Sequence, residues 1–160
     1  MKVISGFQTG ADIAGIKAAY DSNIETGGFI PKDFKTESGN KPNYIMYGAI
    51  ETNSPNYIHR TLKNVLHSDF TIIFDYAGSG GSKLTKILCA KNNKPYLYLT
   101  KSKIDKPDIV DVIFKELINN KYNIINIAGN RESVCKGIEK KVYNTLYDVF
   151  AKYNEIKNNK

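Results

Sequence analysis

Apolar and β-branched residues gather in short runs along the chain, at residues 2–5, 28–30, 70–75 (FTIIFD), 96–100 (YLYLT) and 122–128 (YNIINIA). The runs are near-continuous rather than alternating, the pattern of strands covered on both faces. Between them, apolar residues recur at helical spacing over residues 13–21, 56–67, 84–91, 108–119 and 136–153. Strand and helix alternate throughout, which predicts a three-layer, doubly wound α/β domain with a mainly parallel sheet of about five strands.

Residues 31–55 interrupt this rhythm, with prolines at 31, 42 and 55 and several Gly, Asn and Ser residues among tyrosines. The segment reads as a long loop, and loops of that length in compact domains are commonly functional or mobile. Residues 154–160 read as a frayed helix end, and there is no internal repeat. At 160 residues and 18.0 kDa the whole of 1–160 is expected to form one domain.

Composition narrows the class. Hydrophobic residues make up 41% and charged residues 24%, a globular mix that should fold. The two cysteines, Cys89 in an apolar helical run and Cys135 in a late loop, allow neither a disulfide framework nor a four-ligand zinc site. No metal-ligand spacing stands out. There is no secretory apolar region and no apolar run near the ~20 residues of a membrane span, so a soluble, cytoplasmic protein is expected.

The net charge is +7, but the excess is lysine spread along the whole chain, so a solvated surface is favoured over a nucleic-acid face. Of 23 basic residues only Arg60 and Arg131 are arginine. Where lysine serves, this sequence uses lysine. An arginine then marks a place suited to a planar fork for phosphate or carboxylate.

Three strands end in small or polar residues that lead into a helix: SGFQTGAD from Ser5, YAGSGGSKLT after Asp75, and AGNRES after Ile127. In an open parallel sheet the carboxyl ends share one edge, so these loops are expected at a common crevice. There Gly6 and Gly10 would let the backbone approach a ligand, Asp12 would cap the next helix, and free helix N–H groups would suit an anion. The GSGGSK stretch misses both a P-loop, because Lys83 does not follow the required glycine, and GxGxxG, because the third glycine is absent.

Arg60 and Asn64, four residues apart, share one helix face toward the same crevice. His59 and His67 read as exposed or core imidazoles, with no nucleophile paired to them. Tyr44, Tyr47 and Tyr57 border the long loop and read mainly as partly buried core, with base stacking as the alternative. Glu51, Asp69, Asp75 and Glu132 are the acids nearest the expected edge, suited to a ribose hydroxyl or to proton transfer.

With these motifs in view, the chain resembles the molybdenum carrier family, a circularly permuted, YpsA-like branch of the Rossmann-like SLOG/LOG superfamily. SGFQTGAD is similar to the family's SGGQTGVD, GGFIPK to GGWCPK, GGSKLT to GGT.LT and INIAGNRES to LNVAGPRES. ET…YIHRTLKNVLHSDFTIIF matches ET…Y..RT..NV..SD.TLI in the same order. The resemblance implies a Rossmann-like fold, a dimer or tetramer, and a pocket for a nucleotide or another phosphorylated ligand such as the molybdenum cofactor, a phosphorylated pterin. It places that pocket on Gly6, Gln8, Thr9, Gly10, Asp12, Arg60, Thr61, Asn64, Gly80, Gly81, Ser82, Thr85, Arg131, Glu132 and Ser133.

The sequence departs from the pattern at Phe7, Ser82, Asn130 and Cys135. At about the place of the catalytic glutamate of LOG relatives, which cleave nucleotide N-glycosidic bonds, it has Ile87. The leading expectation is a binding protein for a phosphorylated small molecule. The alternative is a hydrolase of a nucleotide or ADP-ribose-like substrate using Asp12, Glu51 or Glu132, and a lysine-rich interaction module ranks last.

Overall fold

The structure, a computed structural model, describes residues 1–78 and 80–158. Ser79, in the GSGGSK loop, and residues 159 and 160 of the expected tail lie outside the described residues.

The chain lays down β1 (Lys2–Ser5), α1 (Ala11–Asp21), β2 (Glu25–Ile30), β3 (Lys35–Thr36), β4 (Gly39–Asn40), β5 (Ala49–Glu51) and α2 (Tyr57–His67). It continues with β6 (Phe70–Asp75), α3 (Gly80–Lys91), β7 (Tyr96–Thr100), α4 (Lys101–Ile104), α5 (Ile109–Asn120), β8 (Ile124–Gly129) and α6 (Ile138–Asn158). Six strands form a parallel sheet in the order β5-β2-β1-β8-β6-β7, and β3 and β4 make a small antiparallel hairpin. The architecture is α/β, doubly wound and Rossmann-like.

The sixth strand is a correction to the sequence reading. β5 lies inside the stretch expected to be a loop, where it adds an edge through Gly28↔Ala49, Phe29↔Ile50 and Ile30↔Glu51. Three residues, of which only Ala49 is buried, carry no hydrophobic period to read. The rest of that stretch is also ordered, with 3₁₀ turns at Lys32–Phe34 and Pro42–Tyr47 around the hairpin. The tail expected to fray is helical through Asn158.

Alternation along the central strands assigns each face. Ile125 and Ile127 of β8, with Val3, Ile72 and Phe74, pack against α1, α5 and α6, where Ala14, Ile113, Leu146 and Phe150 are fully covered. On the other face α2 and α3 meet the sheet through Val65, Ile73 and Cys89. That second contact is small. A polar residue, Asn126, sits mid-strand on the same side, and above it the helices leave a cavity.

Tyr44 and Tyr47 pack with Phe7, Ile13, Ile16 and Ile30, so the core reading applies to them. Phe7 adopts φ +57°, the left-handed conformation that favours the glycine found there in the similar motif. Both cysteines are free. Among the described residues no helix is long and apolar enough to cross a membrane, and no group of three or more His, Cys, Asp or Glu side chains converges as a metal site.

Candidate functional site

A cavity of about 320 Å³ opens at the carboxyl ends of β1 and β8, between the sheet and helices α2 and α3. Its walls include Gly6 and Gln8 from the β1–α1 turn, Asp12 from the first turn of α1, Tyr57, Arg60, Thr61 and Asn64 from α2, Gly80, Gly81 and Thr85 from α3, and Arg131 after β8. Loops far apart in sequence therefore meet at one rim, with both arginines on it.

The rest of the residues named from sequence lie elsewhere. Gly10 is wedged between loops, and Ser82 is buried, its Oγ accepting from Asn130 Nδ2 at 3.1 Å. Thr9 and Ser133 cluster outside the cavity, their hydroxyls donating to the Glu37 carboxylate at the tip of the β3–β4 hairpin. Glu37 was not singled out from sequence, and the contacts that give it a role cross 28 and 96 residues. Burial raises its pKa, but hydrogen bonds from Ser133 and Thr9 outweigh this and hold it below the ordinary glutamate value.

The named acids separate cleanly. Glu132 accepts from the amides of Gly137 and Glu139 at 2.5 and 3.0 Å, so its carboxylate caps the start of α6. Glu51 accepts from the Asp33 amide at 2.6 Å, outside the cavity. Asp69 holds the amides of Asn123 and Ile124 at the opposite edge of the sheet, and Asp75 bonds to Tyr98 and Asn130. Of these acids only Asp12 lines the cavity.

Asp12 does not cap α1. Its Oδ2 accepts from Arg60 Nη1 at 2.9 Å and from the Gln8 amide at 3.4 Å, in a pair whose side chains are 6% and 10% exposed. Burial raises the Asp12 pKa, and Arg60 opposes that only in part. Arg60 thus brings an internal counter-ion with it. Arg131 is freer, 4.0 Å from Glu37 and lying over the Tyr57 ring at 4.7 Å.

The glycines also act differently from the sequence expectation. A Cβ on Gly6 would sit 1.3 Å from Arg60 Nη1, and one on Gly10 would sit 2.3 Å from the Asn130 carbonyl oxygen. These residues make room for the guanidinium and for the neighbouring loop. The first amides of α1 are also engaged, Ala11 N–H with Asn130 O and Ile13 N–H with Gln8 O. Gly80 and Gly81 contrast with this, since a Cβ on either would meet nothing within 4 Å. Gly80 and Gly81 line the cavity at the start of α3, where the amides of a first helical turn lack intrahelical partners.

Three buried polar atoms among the described residues find no hydrogen bond: Gln8 Nε2, Arg60 Nε and Asn126 Oδ1. All three belong to side chains that line this one cavity. Asn64, also on the wall, is spent on backbone, accepting from Phe29 N–H at 2.9 Å and donating to Phe29 O at 3.0 Å. Asn126 was missed from sequence because it lies inside an apolar run; the signal available was one amide where a covered strand has aliphatic residues.

A parallel, doubly wound sheet with a polar crevice at the carboxyl ends of its central strands defines a Rossmann-like protein of the kind that takes ligands at that edge. Residues 3–150 match the model of the circularly permutated YpsA SLOG family, and the chain belongs to that family. It is similar in structure to a protein of Syntrophus aciditrophicus SB named "Putative molybdenum carrier protein", with 34% identity over 93% of each chain and a TM-score of 0.85. No curated protein sequence matches the chain.

Proposed function

We propose that this protein binds a phosphorylated, nucleotide-like small molecule in the cavity between the sheet, α2 and α3, and acts as its carrier. The observation that carries the reading is the set of buried, unpaired polar atoms on side chains that line a single cavity. Buried polar groups in folded proteins are nearly always satisfied, so such a set marks a place that a ligand completes. Phosphate goes to the amides of Gly80 and Gly81 at the N-terminus of α3, with the part-exposed Arg131 as the cation at the rim. Gln8, Arg60 and Tyr57 hold the remainder.

The name of the Syntrophus relative speaks of molybdenum carriage, and the donor set here fits the organic part of a molybdenum cofactor. Amides, an amide side chain and guanidinium groups suit a phosphate and a pterin ring edge, and the metal would travel as cargo on its own ligands. A nucleotide fits the same groups.

Isothermal titration calorimetry with nucleoside monophosphates and neopterin monophosphate tests the reading. Arg131→Ala is expected to weaken binding by about tenfold or more, the scale of one charge-assisted hydrogen bond. Its side chain is 38% exposed, so the melting temperature should hardly move. Unchanged affinity would remove Arg131 and the phosphate pose with it.

A hydrolase is the less supported reading, because among the described residues Asp12 is the lone acid on the cavity wall and is tied to Arg60. Overnight incubation with a nucleotide panel is expected to release no free base or sugar phosphate, and release of either would reverse the ranking.

A further inference from the structure

The β3–β4 hairpin has little apolar burial to hold it where it lies. Its strands are two residues each, and of residues 35–40 Thr36 alone is buried, with its hydroxyl spent inside the turn, donating to Gly39 O at 2.7 Å. Glu37, at the tip, does the docking. Its N–H donates to Gln8 Oε1 at 2.9 Å, and its carboxylate accepts from Thr9 Oγ1, from Ser133 Oγ at 2.5 Å and from Ser133 N–H at 3.3 Å, with Arg131 Nη1 4.0 Å away. Lys35 Nζ lies 5.9 Å from the centre of the Tyr57 ring. Gln8, Tyr57 and Arg131 all line the cavity, so the hairpin is strapped along its edge.

The donors around Glu37 belong to other parts of the chain. Thr9 lies in the β1–α1 turn, and Arg131 and Ser133 follow β8, so the group that receives the carboxylate is built on the sheet edge and its occupant on a weakly held hairpin. The Thr9 oxygen accepts from Glu132 N–H at 3.3 Å, which leaves its proton for the anion. The neighbouring Glu132 carboxylate is turned away, into the amides of Gly137 and Glu139. Two hydroxyls, one amide and one guanidinium are the donors an oxyanion needs. An open hollow lined by Thr9, Ser133 and the exposed Lys136 adjoins them.

We propose that Thr9, Ser133 and Arg131 form a second anion site, sharing only Arg131 with the cavity, and that Glu37 is its built-in occupant. A phosphate or carboxylate group arriving from solvent takes these donors, displaces Glu37 and frees the hairpin from the cavity edge. Docked hairpin and external anion exclude one another, so by linkage removing either favours the other. The site does not depend on what the cavity holds.

Two measurements on the full chain test it, with inorganic phosphate and sodium formate as probes and sodium chloride as the control at matched ionic strength. In the wild type, exchange of the Glu37 amide, which Gln8 protects in the docked state, should quicken about tenfold with either probe and not with chloride. In calorimetry Glu37→Ala, checked for an intact thermal transition, should bind a probe about tenfold tighter than wild type. Ser133→Ala in that background should remove the gain, whereas Gly80→Ala, at the cavity wall, should keep it. This contrast separates the site from phosphate held at α3. Glu37 exchange that ignores both probes would overturn the proposal, as would a Glu37→Ala variant that gains no affinity or that keeps its gain without Ser133. The exchange measurement uses the wild type and decides the matter if a variant does not fold.

Discussion

Asp12→Ala is expected to destabilise the protein by about 3–5 kcal/mol, the cost of leaving one member of a buried ion pair alone. The surviving partner is Arg60, which is 8% exposed and cannot shed its proton. Arg60→Met should cost less, because the carboxyl it abandons can become neutral. The two variants also differ in their dependence on pH.

Burial already holds the Asp12 pKa above the ordinary aspartate value, and removing Arg60 raises it further. A carboxyl whose folded pKa lies above its unfolded one favours folding while protonated. That contribution is complete below the unfolded pKa and is lost as pH rises through the folded pKa. The deficit of Arg60→Met relative to wild type should therefore shrink as pH falls from 7 toward 5, whereas that of Asp12→Ala should not follow this trend. Urea unfolding at several pH values measures both. A deficit for Arg60→Met that stays constant with pH would show that Asp12 does not take up the proton.

Gly10→Ala is expected to be the most damaging change in the loops, lowering stability by more than about 3 kcal/mol and the melting temperature by about 10 °C. Gly10 sits at φ +80° and ψ −130°, a conformation that L residues avoid. The added Cβ would also lie 2.3 Å from Asn130 O and 2.7 Å from Glu132 N, both backbone atoms that cannot step aside. Asn130 O accepts from Ala11 N–H at 3.0 Å, so the strain reaches the start of α1. Gly80→Ala is the matched control. Its Cβ meets nothing, so the melting temperature should stay close to wild type while ligand affinity falls. Equal melting temperatures for the two variants would show that the β1 and β8 loops do not pack as described.

The strands were legible because burial writes itself into the sequence. FTIIFD and YLYLT are bounded in the structure at Phe70–Asp75 and Tyr96–Thr100, the same ends that composition assigns them. The common edge of the three loops followed from strand polarity alone, and the scarcity of arginine pointed to the two side chains that now stand on the cavity rim. Other features were out of reach. The pairing of Asp12 with Arg60 spans 48 residues, and no local pattern announces it. Glu132 could be named as an acid near the edge, but the direction of its carboxylate, into the amides of α6, depends on where that helix begins.

By itself, the sequence determined the α/β alternation, the direction of the sheet and which turns would share its rim. These follow from period and from chain chirality, both local properties. Only the tertiary structure decided what each rim residue does. Gly6 yields its space to a guanidinium, Asn126 keeps an unpaired oxygen on a side chain beside the gap that α2 and α3 leave above the sheet, and β5 exists because β2 offers it an edge. The physical reason is that hydrogen-bond satisfaction and close packing are pairwise conditions between residues distant along the chain, and a partner is defined only once both are in place.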